Sequence, residues 1–448
     1  MIAVAAELRR SLPGRVIAAH ASQSFARDFG RQQHRTPAAV VAVQCEADII
    51  AALEIASRHR VPCRVRGAGH SCGGQTLSEG GIVLLNAATR REPVSVHGDG
   101  AVEMSSRCRW TWVERSARAR ERAIPVLGDW PRLTVGGTLS VGGYGVGSLV
   151  WGSQVNHVLR IRLVLPTGRA LWCSATEHAA LFRHSLAGLG ALGVIERAVV
   201  RTVPRARWLS LRTYRANNLA AVADLARSLQ QWHGPWPDVF YYTGKRKRVV
   251  VGISAHTIAA ARRTPPSPAF EQLQPTSHIV VPNRPALAQI GVAAWLAQFP
   301  HHQRVWSDFV LPARLVPAFL EYVSELQRGP AFSRHLRTIY VLGIRTPPQA
   351  AALPLAPVGN PPAQLAFGIG LYCMVPVRDH TGLTAVRDAL RRCLVRCIEL
   401  GGRPYMYGWH ELDASLMQRA FGDGLECLRA LRREHDPQGL LHSVFDAA

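Results

Sequence analysis

Lysine is almost missing from this chain: of 53 basic residues only Lys245 and Lys247 are lysine, and all the others are arginine. The formal charge of +23 is therefore spread along the sequence as arginine, and only residues 244–248, Gly-Lys-Arg-Lys-Arg, form a dense run. Clustered cations gain nucleic-acid affinity by releasing phosphate counterions, whereas dispersed ones set up a general field that attracts anions. Nucleic acid is accordingly not the expected partner. The nine cysteines are odd in number and scattered, with no Cys-x-x-Cys pair and no Cys/His quartet at zinc spacing, so neither a disulfide framework nor a metal site is expected. No apolar run reaches the roughly 18 residues a membrane span requires. The first ten residues contain an acid and two arginines where a secretory signal has its apolar core, and a cytoplasmic location is expected.

What is present is an ordinary globular composition, 48% hydrophobic and 19% charged, long enough at 448 residues for two or three domains. Residues 36–43 are a β-rich run. Residues 45–58 place apolar side chains at 49, 50, 53, 55 and 56, one face of a helix, and residues 61–66 return to strand. The turn Val65-Arg66-Gly67-Ala68-Gly69-His70-Ser71 follows that second strand and leads to a third over residues 81–86. In a dinucleotide-binding βαβ unit the glycine turn instead joins the first strand to its helix. Here the turn is expected to be a strand-to-strand cradle whose glycines, lacking Cβ, let successive N–H groups converge on a phosphate. A second glycine-rich run over residues 128–147 carries Asp129, Thr134, Gly137, Ser140 and Tyr144 and reads as a backbone-rich wall for a flat cofactor. Strands are expected over 158–165 and 170–173, a helix over 177–187, and strand again over 188–195.

Beyond about residue 205 the pattern changes. Helices are expected over 217–230, 316–327 and 383–400, and strands over 239–244, 249–254, 306–312, 338–344 and 366–375, a second α+β unit around an antiparallel sheet. Residues 261–285 and 347–362, rich in Pro and small residues, read as surface connections, the first as a connection or a lid. A helix over about 415–435 follows.

Taken in order, several segments resemble one family. They are Arg66-Gly-Ala-Gly-His70-Ser71 with Gly74-Gln75, Asp129 with Leu133-Thr-Val-Gly-Gly-Thr-Leu-Ser140, Asn156-His-Val-Leu, Gly188-Leu-Gly-Ala-Leu-Gly-Val-Ile195, Trp306-Ser-Asp-Phe and His435-Asp-Pro-Gln-Gly-Leu-Leu. The chain resembles the FAD flavoproteins of vanillyl-alcohol-oxidase type, with their PCMH-type FAD-binding domain, and among them the cytokinin dehydrogenases most closely. The resemblance implies an α+β fold of two domains: an FAD-binding domain over 1–205, a substrate-binding cap over 206–400 built on an antiparallel sheet, and a segment, 401–448, that returns to the FAD domain. It implies FAD bonded covalently through His70, with the amides of Gly67 and Gly69 on the pyrophosphate. Val65, Ala68, Ser71, Gln75, Asp129, Thr134, Gly137, Ser140, Tyr144, Ile195 and Tyr405 would complete the cofactor site.

Three positions depart from the family pattern. Ser153-Gln-Val155 offers no cysteine for a second covalent link. Thr243 stands where cytokinin dehydrogenases commonly carry a glutamate, and His442-Ser-Val-Phe445 replaces a closing Ser-Pro-Gly-Gln.

Oxidising a C–H bond next to nitrogen or oxygen requires that a proton leave the heteroatom, which suits a partly desolvated carboxylate near the flavin. Asp129 is assigned that role, with Tyr405 as a second catalytic candidate and Tyr407 beside it; His410 and Glu411 read equally well as surface residues. The expected activity is oxidation of a cytokinin-like secondary amine to an imine that water hydrolyses. The alternative is oxidation of an alcohol, sugar or secondary-metabolite intermediate on the same scaffold. The expected partners are a small-molecule substrate and an electron acceptor, oxygen or a quinone-like molecule.

Overall fold

The structure, a computed structural model, describes residues 2–130, 132–266, 268–283, 290–345, 353–356 and 364–446. Near the N-terminus, Ala39–Ala42, Ile82–Leu85 and Cys63–Arg66 form a parallel three-stranded sheet with Ile82–Leu85 at its centre. The central strand is an Ile-Val-Leu-Leu run, as expected of parallel strands covered on both faces. The helix Glu46–His59 crosses between the outer strands and buries Ile49, Leu53 and Ala56. Residues 67–81 join the second and third strands without a helix, so the glycine turn is a strand-to-strand connection.

An antiparallel five-stranded sheet follows, in the order Val94–Val96, Val102–Ser105, Val194–Val200, Val158–Val164, Ala170–Ser174. Further on, an eight-stranded antiparallel sheet runs Gln274–Pro282, Trp208–Arg215, Arg248–Ala255, Val239–Thr243, Leu336–Arg345, Leu365–Pro376, His302–Pro312, Arg403–Pro404. Side chains alternate across a strand, and this sheet uses the alternation to separate two environments. Phe240, Tyr242, Ile339, Val341, Phe309 and Leu311 point into the core. Their neighbours Tyr241, Thr243, Tyr340, Leu342, Asp308 and Val310 line a cavity on the other face. The helices Leu219–Gln230 and Val316–Leu326 pack on each other, and the helix His380–Glu399 packs on the strand His302–Pro312. Near the C-terminal end Leu441 bridges to Cys63, whose amide donates to the Leu440 carbonyl at 2.8 Å, and Asp436 accepts from the amides of Leu440 and Leu441.

Some sequence expectations need correction. Residues 274–282 are a nine-residue strand, not a loose connection. It is the sheet's edge and mostly exposed, so burial imposed no alternation on it, and Pro275 is tolerated there. Within 188–195 only Val194 and Ile195 are strand. Residues 135–139 of the second glycine run form a short helix, Val135–Leu139. The helix Ala414–His435 is interrupted at Gly422, where φ is 49°. Of the connection expected over 347–362, all but 353–356 lies outside the described residues.

Candidate active site

The glycine turn, the 128–144 run and the inner face of the eight-stranded sheet enclose a cavity of about 830 Å³. Every residue singled out in the sequence lines it: Val65 to Ser71 (Arg66 aside) and Gln75 on one wall, Asp129, Thr134, Gly137, Ser140 and Tyr144 on a second, with Ile195 and Tyr405.

The turn is shaped for close approach. Gly69 has φ +71°, and a Cβ there would sit 2.6 Å from the Arg66 guanidinium, which folds beneath the turn toward the carbonyls of Phe25 and Arg27. A Cβ on Gly67 would meet the Thr134 hydroxyl at 2.3 Å. Among the described residues the amides of 67–71 donate to no other group of the chain. A row of unpaired amides facing a cavity fits a pyrophosphate. Two buried polar atoms of the wall are also without partners among the described residues, Asn86 Oδ1 and Tyr144 Oη. A polar, flat cofactor such as FAD would satisfy both sets.

Gln75 lines the cavity and also holds the turn in place. Its side-chain oxygen accepts from the Gly73 amide and its nitrogen donates to the carbonyls of Met406 and Gly408, all at 2.8 Å. With Cys72 N–H donating to the Tyr407 carbonyl at 2.9 Å, it staples the turn to the segment carrying Tyr405 and Tyr407. The Thr134 and Ser140 hydroxyls are engaged within their own short helix, with Gly137 N and Gly136 O.

His70 sits among aromatic rings, its centroid 3.9 Å from Phe29 and 5.0 Å from Trp130, stacked on the latter at 24°. Burial, and then the nearby Arg304 guanidinium, push its pKa down to about 3, so the imidazole is neutral at pH 7. A neutral ring nitrogen is the form that can take a covalent bond.

Two carboxylates share the cavity. Asp129 is raised by burial, opposed by a hydrogen bond from Tyr340. Asp308, on the strand His302–Pro312, went unnoticed in the sequence. Burial raises it to about 7, against hydrogen bonds from Tyr407 at 2.7 Å and Tyr372 at 3.2 Å, with the Asp129 charge adding to the rise. A carboxyl titrating near neutrality in a cleft is a functional candidate on physical grounds. Nothing local marks Asp308, because its partners lie 64 and 99 residues away; its position two residues after Trp306 on an alternating strand was the available signal. Tyr405 accepts from the Gly143 amide at 3.2 Å, which leaves Tyr407, paired with a carboxylate, as the phenol better placed for proton transfer. His410 is half-buried, its pKa pushed down to about 4 by desolvation, and it is hydrogen-bonded to the Tyr405 carbonyl. Among the described residues no group of three or more His, Cys, Asp or Glu is arranged to hold a metal ion, and no helix is long and apolar enough to cross a membrane.

Residues 37–174 match a family model described as an FAD binding domain. The chain is 37% identical over 174 residues to an uncharacterized oxidoreductase, ORF5 in the fasciation locus, of Rhodococcoides fascians, covering 39% of each chain. It is 36% identical over 228 residues to cytokinin dehydrogenase 1 of Oryza sativa subsp. japonica, covering 47% of this chain and 42% of that one. The matched region thus spans about two-fifths of the length of these curated relatives. The fold is shared over nearly the whole length with xylooligosaccharide oxidase from Myceliophthora thermophila C1, at a TM-score of 0.77, 18% identity and 98% of both chains. A chitooligosaccharide oxidase gives the same TM-score and coverage at 19% identity.

The fold and the N-terminal match define an FAD-binding protein with the α+β architecture of the PCMH-type oxidases. Residues 37–174 thus match an FAD binding domain, cytokinin dehydrogenases are similar to this chain over about two-fifths of their length, and the fold over nearly the whole chain is that of the two oligosaccharide oxidases.

Proposed function

We propose that this chain is an FAD-dependent oxidoreductase, its cofactor bonded to His70, that oxidises a C–H bond adjacent to nitrogen in a cytokinin-like secondary amine. The observation that carries the reading is the convergence of the His70 turn and the half-buried Asp129, its pKa raised by desolvation, in one cavity. The division into an FAD-binding unit over 1–205, a cap over 206–400 and a returning segment over 401–448 belongs to the same proposal. Flavin, when bound, supplies the hydride acceptor. Asp129 takes the amine proton as the neighbouring C–H gives up its hydride, leaving an imine that water cleaves to an amine and a carbonyl compound. A raised carboxylate pKa suits it to hold that proton. Phe29, Trp130 and Trp306 pack around the His70 ring and shield it from water. Electrons then pass to oxygen or a quinone-like acceptor.

One observation favours a second reading. The Tyr407–Asp308 pair is a phenol backed by a carboxylate, suited to take a proton from a hydroxyl, and Thr243 lines the cavity without a charge for an amine. Oxidation of an alcohol or sugar would use that pair as base. Anaerobic mixing with isopentenyladenine on one side and xylo- or chito-oligosaccharides on the other separates the two. Bleaching of the flavin absorbance by the amine is expected. Bleaching by saccharides alone transfers the assignment to the second reading, and a colourless protein ends both.

A further inference from the structure

The dense cationic run, set aside in the sequence as too short for a nucleic-acid face, is placed by the fold at the mouth of the cavity. We propose that Lys245, Arg246 and Arg248 form a subsite for a phosphate-type anion carried by the substrate at the end remote from the oxidised carbon. The inference rests on the oxidoreductase reading above and narrows its substrate to an anionic one.

The hairpin geometry supports this. Tyr241 pairs with Val250 and Thr243 with Arg248 across the antiparallel ladder, and all four line the cavity. Side chains two residues apart share a face, and each residue advances roughly 3.3 Å. The wall therefore grades outward from the stacked Tyr241–Tyr340 pair, through Thr243 roughly 7 Å further on, to the cations of the turn. A substrate reaching from Asp129, which Tyr340 contacts, to these cations would hold its anion on the order of 10 Å from the reacting carbon.

The turn's backbone is fixed while its side chains are not. Gly244 N donates to the Ile339 carbonyl at 2.7 Å, Lys245 N to the Thr338 hydroxyl at 3.3 Å, and Ala216 N to the Lys247 carbonyl at 2.9 Å. Lys245, Arg246 and Arg248 are exposed and line the cavity, and none makes an ion pair among the described residues. The only acids lining the cavity among those residues are Asp129 and Asp308, both on its inner part. Three unneutralised cations at one end and two carboxyls, the half-buried Asp129 and the buried Asp308, at the other orient a substrate that is anionic at one end and gives up a proton at the other. A neutral adenine base would leave the outer end unused.

The test is calorimetric binding to the purified protein of isopentenyladenosine 5′-monophosphate and of isopentenyladenosine, at 50 and 200 mM NaCl. The phosphate form should bind about tenfold more tightly at low salt, about 1.4 kcal/mol, with the advantage shrinking at 200 mM. A Lys245→Gln, Arg246→Gln, Arg248→Gln variant should lose the advantage, and the three-fold change to Glu should invert it; a melting temperature within 2 °C of wild type, to about that precision, checks that the variants fold. Equal affinity for the two ligands, an advantage the variants keep, or no binding of the phosphate form overturns the proposal. Tighter binding of the phosphate form without flavin bleaching leaves the subsite standing and removes the amine-oxidation reading instead.

Discussion

Replacing Asp308 by Asn should make the protein more stable above neutral pH. Burial raises this carboxyl from 3.8 to about 7 in the folded chain. The folded protein therefore holds the proton up to about pH 7, whereas the unfolded chain gives it up near 4. Stability falls as pH rises across that window, because the folded state binds more protons than the unfolded one there. At about 1.4 kcal/mol per pH unit, ionising Asp308 in place costs about 4 kcal/mol by pH 8. Asn is the neutral isostere of the protonated acid, and the hydroxyls of Tyr407 and Tyr372 can each donate or accept. An unfolding entropy of about 2.1 cal/mol/K per residue, over 448 residues, converts the cost to about 4 °C. Melting temperatures of wild type and Asp308→Asn, followed by tryptophan fluorescence from about pH 3 to 8, should coincide below about pH 4 and diverge across about pH 4–7 to about that amount, which then persists to pH 8, the variant melting higher. Two parallel curves with no divergence across about pH 4–7 would show that Asp308 ionises as an ordinary carboxylate and would remove it from the list of proton carriers.

Further expectations concern the cofactor and the chemistry. In His70→Ala the yellow colour should be fully released by acid precipitation while wild type keeps it in the pellet; colour retained by the variant places the attachment elsewhere. Asp129→Asn should slow anaerobic flavin reduction by the amine by about 10²–10⁴-fold, the usual worth of a positioned base, and reduction at the wild-type rate excludes Asp129 from proton transfer. Gly67→Ala brings a Cβ to within 2.3 Å of the Thr134 hydroxyl; the strain should cost about 1–3 kcal/mol and lower flavin content, both readable from melting temperature and the 450 nm to 280 nm absorbance ratio, roughly halved at full effect.

What could be read from the sequence follows how local the signal is. The turn at 65–71 was legible because a β-run before it, another after it and two glycines between leave a strand-to-strand cradle as the simplest chain path. The eight-stranded sheet was legible strand by strand wherever one face is core and the other is cavity, since burial then writes a period of two into the residues. The same rule explains the miss at 274–282, an edge strand with solvent on most sides. The helix within 135–139 was hidden by Gly136 and Gly137, which lower helix propensity; Thr134, capping it through Gly137 N, was the overlooked cue. Asp308 and Tyr407 were illegible as a pair, because each owes its character to a partner brought in by long-range packing.

The staple made by Gln75 has a consequence for the order in which the molecule is assembled. Its two bonds to Met406 and Gly408 span 331 and 333 residues. At roughly 5–20 residues per second on the ribosome, the wall that carries Tyr405 and Tyr407 arrives roughly 20–70 s after the glycine turn has emerged. During that interval the turn stands open on one side, with the amides of 67–71 still facing water, and the edge of its sheet at Cys63 still awaits Leu440 and Leu441. The wall that closes the cavity against the glycine turn is thus completed late in biosynthesis, and a chain truncated before residue 406 would lack both it and the Leu440–Leu441 edge of the three-stranded sheet.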